Sequence, residues 1–97
     1  MKLRLRPAAE ADVAEAIRWY EEQAPGLGDR FLHSFEATLQ RIAKNPRLYP
    51  EVLLRARRAL FPRPFPYMVL YTIDEATISA YAVIHQARHP DRWKPRD

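Results

Sequence analysis

"YMVLYTIDEATISAYAVIH", residues 67–85, decides the fold. Tyr67–Ile73 and Thr77–His85 are two runs rich in β-branched and aromatic residues, and Asp74-Glu75-Ala76 joins them tightly, as in a hairpin. The first run is apolar on both faces, with Tyr67, Val69, Tyr71 and Ile73 on one and Met68, Leu70 and Thr72 on the other. That is the pattern of a central strand buried on both sides. In the second run alternation puts Ile78, Ala80, Ala82 and Ile84 on one face, small and apolar enough to lie under helices. Thr77, Ser79, Tyr81, Val83 and His85 share the other.

Upstream, "VLLRARRAL" (52–60) reads as one further strand. Leu54, Ala56 and Leu60 are in one phase with Arg58, while Arg55 and Arg57 point the opposite way. Between it and the hairpin lies "FPRPFP" (61–66), whose prolines remove N–H donors from one edge only. The stretch is expected to be a loop or a protected sheet edge.

The N-terminal half is mainly helical. Leu3 and Leu5 alternate with Lys2, Arg4 and Arg6 as in a short strand, which Pro7 ends while suiting the first turn of a helix. Residues 8–24 form helix 1, with Val13, Ala16, Ile17, Tyr20 and Ala24 recurring at helical spacing and Glu15, Arg18, Glu21 and Glu22 facing away. Pro25-Gly26 breaks it, and Leu27, Phe31, Phe35, Leu39 and Ile42 form the stripe of a second helix ending before Pro46. So short a connection makes an antiparallel helical hairpin. The order is β-α-α-β-β-β, which is an α+β fold: a mostly antiparallel sheet with the helical hairpin on one face.

Ninety-seven residues with 47% apolar content fit one domain, 1–97, with a single core. No run approaches the length of a membrane span, and the charged start "MKLRLRPAAEAD" lacks the apolar segment of a secretory signal. The absence of cysteine excludes disulfides and thiol chemistry and suits a cytoplasmic protein. Residues 1–51 hold eight Lys/Arg and eight Asp/Glu, whereas residues 52–97 hold eight against four, so the whole net charge of +4 lies in the second half. The excess suits a polyanion, an acidic partner protein or an ordinary solvated surface, and charge alone does not choose among them.

The face away from the helices is expected to carry Arg55, Arg57, Tyr81 and His85. Arginines beside a tyrosine and a histidine can hold phosphate and stack a base, or merely cover apolar surface with their stems and rings. A strand-end histidine such as His85 has the chemistry of a general acid or base, and equally that of a hydrogen-bonded strand terminus. His85 and His89 straddle a strand end rather than one helix face, so neither a metal nor any other cofactor is expected. Gly26 and Gly28 form no phosphate loop, and Ser34 and Ser79 lack a nucleophile-elbow context. Trp93, amid Arg92, Lys94 and Arg96, reads as an anchor for the tail.

Taken together, the element order, the helix-ending "NPRLYP" (45–50), "FPYMVLY" (65–71) and "VIHQARHPDRW" (83–93) resemble the ParE/RelE toxin family over essentially the whole chain. The resemblance implies the toxin of a type II toxin–antitoxin module, held by a cognate antitoxin in a hetero-oligomer. ParE-like members poison DNA gyrase by binding it. RelE-like members cut mRNA on the ribosome, and they resemble one another in an arginine directly after the tyrosine that opens the middle strand. Here Tyr67 is followed by Met68, whose thioether cannot stabilise a phosphorane. The resemblance therefore favours the gyrase-binding branch. The alternatives are an mRNA endonuclease with His85 as catalytic acid or base, and a non-toxic member that only binds its antitoxin or nucleic acid. Arg55, Arg57, Arg58, Arg63, Tyr81, Arg88 and Arg92 are the expected partner- or phosphate-binding residues.

Overall fold

The computed structural model describes residues 1–88 and 90–95. The elements are β1 (Lys2–Leu5), α1 (Pro7–Gln23), α2 (Leu27–Lys44), β2 (Glu51–Leu53), β3 (Ala56–Leu60), β4 (Tyr67–Asp74) and β5 (Thr77–His85), followed by a short 3-10 turn at Pro90–Trp93. The strands make one sheet in the order β1-β5-β4-β3-β2. β1 runs parallel to β5, and every other pair is antiparallel. A parallel neighbour needs a long crossover, which the α1–α2 hairpin supplies. The α+β architecture expected from the element order is the one observed.

Pro7 opens α1, where a missing N–H costs nothing, and Glu10 complements the positive end of the helix. Its buried stripe is small (Ala9, Val13, Ala16), so the helix lies close to the sheet. α2 buries a larger stripe that includes Phe31, Phe35 and Ile42. Thr38, buried among these, donates its hydroxyl to the Ser34 carbonyl at 2.8 Å, so that hydroxyl is not stranded. The Glu21 carboxylate ties the two helices together by accepting the Gly26 and Gly28 N–H groups, each at 3.0 Å. Phe61 and Phe65 plug the base of this core. The "FPRPFP" segment is thus a loop whose phenylalanines are structural.

Two features depart from simple alternation, and both redistribute side chains. First, residues 52–60 are not one strand. Leu54 (φ 50°) and Arg55 (φ 67°) adopt left-handed backbone and turn β2 back on β3, with Leu53 paired to Ala56. Two positive φ values are what a two-residue hairpin turn requires, and glycine or asparagine usually provides them. Second, β5 is bulged: Leu70 faces Ala82 while Tyr71 faces Ala80, so Tyr81 is an extra residue in the ladder.

The bulge reverses the phase of everything after it. Ile78 and Ala80 lie under the helices as expected, but Val83 takes the helix side next. Ala82 and Ile84, expected beneath the helices, join the opposite face. In β3 the residues under the helices are Ala59 and neighbouring Phe61, while Ala56 lies on the far face with Met68, Leu70 and Tyr81. Trp93 packs over that second cluster as the tail anchor.

Candidate functional site

The bulge and the tail together shape a groove of about 870 Å³ between α1 and the end of β5. Asp12, Glu15 and Trp19 line it from α1, Tyr67 and His85 from the two central strands, and Arg88, Arg92 and Lys94 from the tail. The α1 wall carries Asp12 and Glu15, the tail wall is mainly basic with Asp91 among its cations, and Trp19, Tyr20 and Tyr67 supply aromatic surface. Trp19 is 55% exposed, a large apolar ring left facing water.

The His85 ring meets Tyr67 edge-on at 5.5 Å between centroids, and its Nδ1 accepts the Ala87 N–H at 3.0 Å. That bond assigns the remaining proton of the neutral ring to Nε2. Burial pushes the Tyr67 phenol above its ordinary value; Glu15 and Asp12 add to the rise and Arg88 opposes it. Tyr20 is raised chiefly by burial, with Tyr67 contributing. Both phenols therefore stay protonated near neutral pH, as hydrogen-bonding groups rather than bases. Among the described residues no group of three or more His, Asp or Glu is placed to hold a metal ion. His89 lies outside the described residues.

The structure divides the expected site residues among different surfaces. His85, Arg88 and Arg92 come together in the groove, on the helix side of the sheet. Arg57, expected on the far face, also lies on the helix side, opposite Tyr71. Its guanidinium donates to the Tyr49 carbonyl at 2.6 Å and the Arg47 carbonyl at 3.2 Å, with Glu51 at 3.7 Å, so it clamps the segment after α2. Arg58 points the other way, 5.8 Å above the Trp93 ring. Tyr81 is 3% exposed and gives its hydroxyl to the Trp93 carbonyl. Arg55 sits in the β2–β3 turn, 3.8 Å from Asp74, and Arg63 is exposed in the proline-rich loop. The combined Arg55–Arg57–Tyr81–His85 surface expected from alternation does not form.

Sequence reasoning missed the α1 wall of the groove. A signal was present, since Asp12, Glu15 and Trp19 are spaced three and four apart and so share one helical face.

The groove lies on a small α+β fold, two helices packed on one face of a five-stranded sheet. A solved structure, "Chromosomal ParDE TA system from P. aeruginosa", superposes with a TM-score of 0.68 at 13% identity, covering 88% of this chain and 95% of that one. The chain belongs to the ParE toxin family: residues 3–90 match the family described as "ParE toxin of type II toxin-antitoxin system, parDE". Toxin ParE2 of Mycobacterium tuberculosis strain CDC 1551 is 32% identical over 91 residues, or 93% of this chain and 86% of that protein. Toxin ParE2 of strain H37Rv is similar to the same extent. Family membership implies an antitoxin partner. No helix among the described residues is long and apolar enough to cross a membrane.

Proposed function

We propose that this ParE-family toxin arrests growth in the cytoplasm by binding DNA gyrase through its basic tail and the adjoining groove, and that a cognate antitoxin neutralises it by occupying that surface. The observation that carries the reading is Met68. It stands where the mRNA-cutting branch has its arginine, and it is 1% exposed in an apolar cluster under Trp93. That position offers no cation to a phosphate, so the transition state of RNA cleavage lacks its expected partner there. A binding toxin needs only surface, and the groove offers an exposed indole flanked by opposite charges. Such a surface gives anchor, register and fast encounter.

A supercoiling assay with purified gyrase and stoichiometric toxin tests this. Supercoiling is inhibited, and pre-incubation with the antitoxin restores it; unchanged supercoiling at toxin excess rejects the reading. His85, Tyr67 and Arg88 do converge in the groove, which favours mRNA cleavage as the second reading. Primer extension on translated mRNA would then show cuts that His85→Ala abolishes.

A further inference from the structure

We propose that the open half of the sheet, on the face away from the helices, holds the phosphate backbone of duplex DNA. Leu3 and Leu5 of β1, Ile78 and Ala80 of β5 and Tyr71 and Ile73 of β4 all pack toward the helical core. The residues between them therefore point to the opposite face. Strand register sets these in two rows. Arg4 stands beside Ser79, which stands beside Thr72; Lys2 stands beside Thr77, which stands beside Asp74. Lys2 and Arg4 are exposed, and the three hydroxyl residues are half-buried and accessible. The carboxylate on these rows, Asp74, lies 3.8 Å from the Arg55 guanidinium.

The charge of the molecule is distributed to match. The two helices carry seven acidic residues against four basic ones, a net of −3, while the rest of the chain carries twelve basic against five acidic, a net of +7. The excess that the sequence places in its second half belongs in space to the sheet, its loops and the tail, with β1 adding to it. A polyanion approaching this bipolar molecule is turned toward the sheet.

Three chemical points select duplex backbone as the occupant. Arginine, lysine, serine and threonine are the side chains that bind phosphate oxygens. Single strands are held by exposed aromatic platforms. Here Tyr81 is buried and Trp93 is turned against Arg58 and Tyr81, so these rows carry no such platform. On the same face Trp93 packs over the apolar cluster of Met68, Leu70 and Tyr81, which leaves these two rows as its polar part. Three strands span about 10 Å, enough to meet about two or three successive phosphates.

The proposal is independent of the gyrase reading, and its test contains no gyrase. Fluorescence anisotropy of a labelled mixed-sequence duplex is titrated with the full chain over a series of salt concentrations. Binding is expected at low salt, falling linearly on logarithmic axes. The Lys2→Ala/Arg4→Ala double variant weakens it by about tenfold and reduces the salt slope by about two. Thr72→Val with Ser79→Ala weakens binding while leaving the slope unchanged, since neutral groups release no counterions. Arg18→Ala with Arg30→Ala, on the helices, leaves binding as it was. The charge-preserving Lys2→Arg/Arg4→Lys variant retains affinity, which separates lost contacts from lost fold. Failure to bind duplex at low salt overturns the proposal, as do equal losses in the helical control or tighter binding of a single strand.

Discussion

The carboxylate of Asp12 accepts the backbone N–H of Val83 at 2.9 Å, joining residues 71 apart in sequence. β1 ends at Leu5, and the last backbone bond from that side is the Arg6 N–H to the Ala80 carbonyl. Beyond that point no strand among the described residues pairs with this edge of β5, and α1 packs against it instead. Asp12 stands in for the missing strand just past the bulge, where the ladder is already interrupted. Asp12→Ala leaves a buried N–H without this partner and is expected to cost about 1.5–3 kcal/mol, the range for hydrogen bonds to charged groups. Urea denaturation measures it, and Asp12→Asn should recover part of the loss because its amide oxygen still accepts.

At Gly28 the two helices approach closely. A Cβ there would lie 2.9 Å from the Ile17 carbonyl oxygen and 3.0 Å from the Glu21 carboxylate. The first of these is backbone and cannot turn aside, so Gly28→Ala must push the helices apart, at about 1–3 kcal/mol. Gly26 differs in kind: a Cβ there meets nothing within 4 Å, but its φ of +87° is left-handed. Gly26→Ala therefore costs only the backbone penalty of about 1–2 kcal/mol. Thermal melts of both variants separate the two causes, since a further Glu21→Ala change relieves part of the Gly28→Ala penalty and none of the other.

These contacts show which parts of the fold the sequence reveals and which it conceals. The long periodic elements are legible: α1 and α2 begin and end within a residue or so of their proline and glycine boundaries, and β4 and β5 match their apolar runs. The β2–β3 turn is not legible, because Leu54 and Arg55 take left-handed backbone without any glycine or asparagine to announce it. The Tyr81 bulge leaves no mark either. Ala80, Tyr81, Ala82 and Val83 are all acceptable on either face of a sheet buried on both sides, so alternation cannot detect one extra residue. That residue carries His85 to the helix side, where it meets Tyr67, and so decides the groove. Arg57 and Arg58 are adjacent and chemically identical; only the β2–β3 turn determines that one is a clamp and the other a cover for Trp93.

Tyr71 makes stability depend on alkaline pH. Its hydroxyl donates to the Pro46 carbonyl at 2.6 Å, and burial pushes its pKa up to about 12 against the attraction of Arg57. The folded state therefore holds this proton more tightly than the unfolded chain, where the phenol ionises near 10. The corresponding stability is fully present below pH 10 and is lost as the pH rises toward about 12. Tyr20 and Tyr67, also raised, act in the same direction. Denaturation midpoints measured across that window should fall with pH, and Tyr71→Phe should make the fall shallower. An unchanged slope in that variant would assign the effect to other groups.

Met68 tests whether the fold itself bars the chemistry of the mRNA-cutting branch. Its side chain is enclosed with Leu70, Ala82 and Trp93, so an arginine there must either stay desolvated or dislodge the tail. Met68→Leu keeps volume and polarity and should cost less than about 1.5 kcal/mol. Met68→Arg should cost about 3 kcal/mol or more, because a buried unpaired charge is among the most destabilising single changes. Its restored guanidinium should also give no cuts in primer extension on translated mRNA. If Met68→Arg were as stable as the parent and cut message, the far face would be an open catalytic surface. The cluster beneath Trp93 would then be a lid that the tail can leave, rather than the second half of the core.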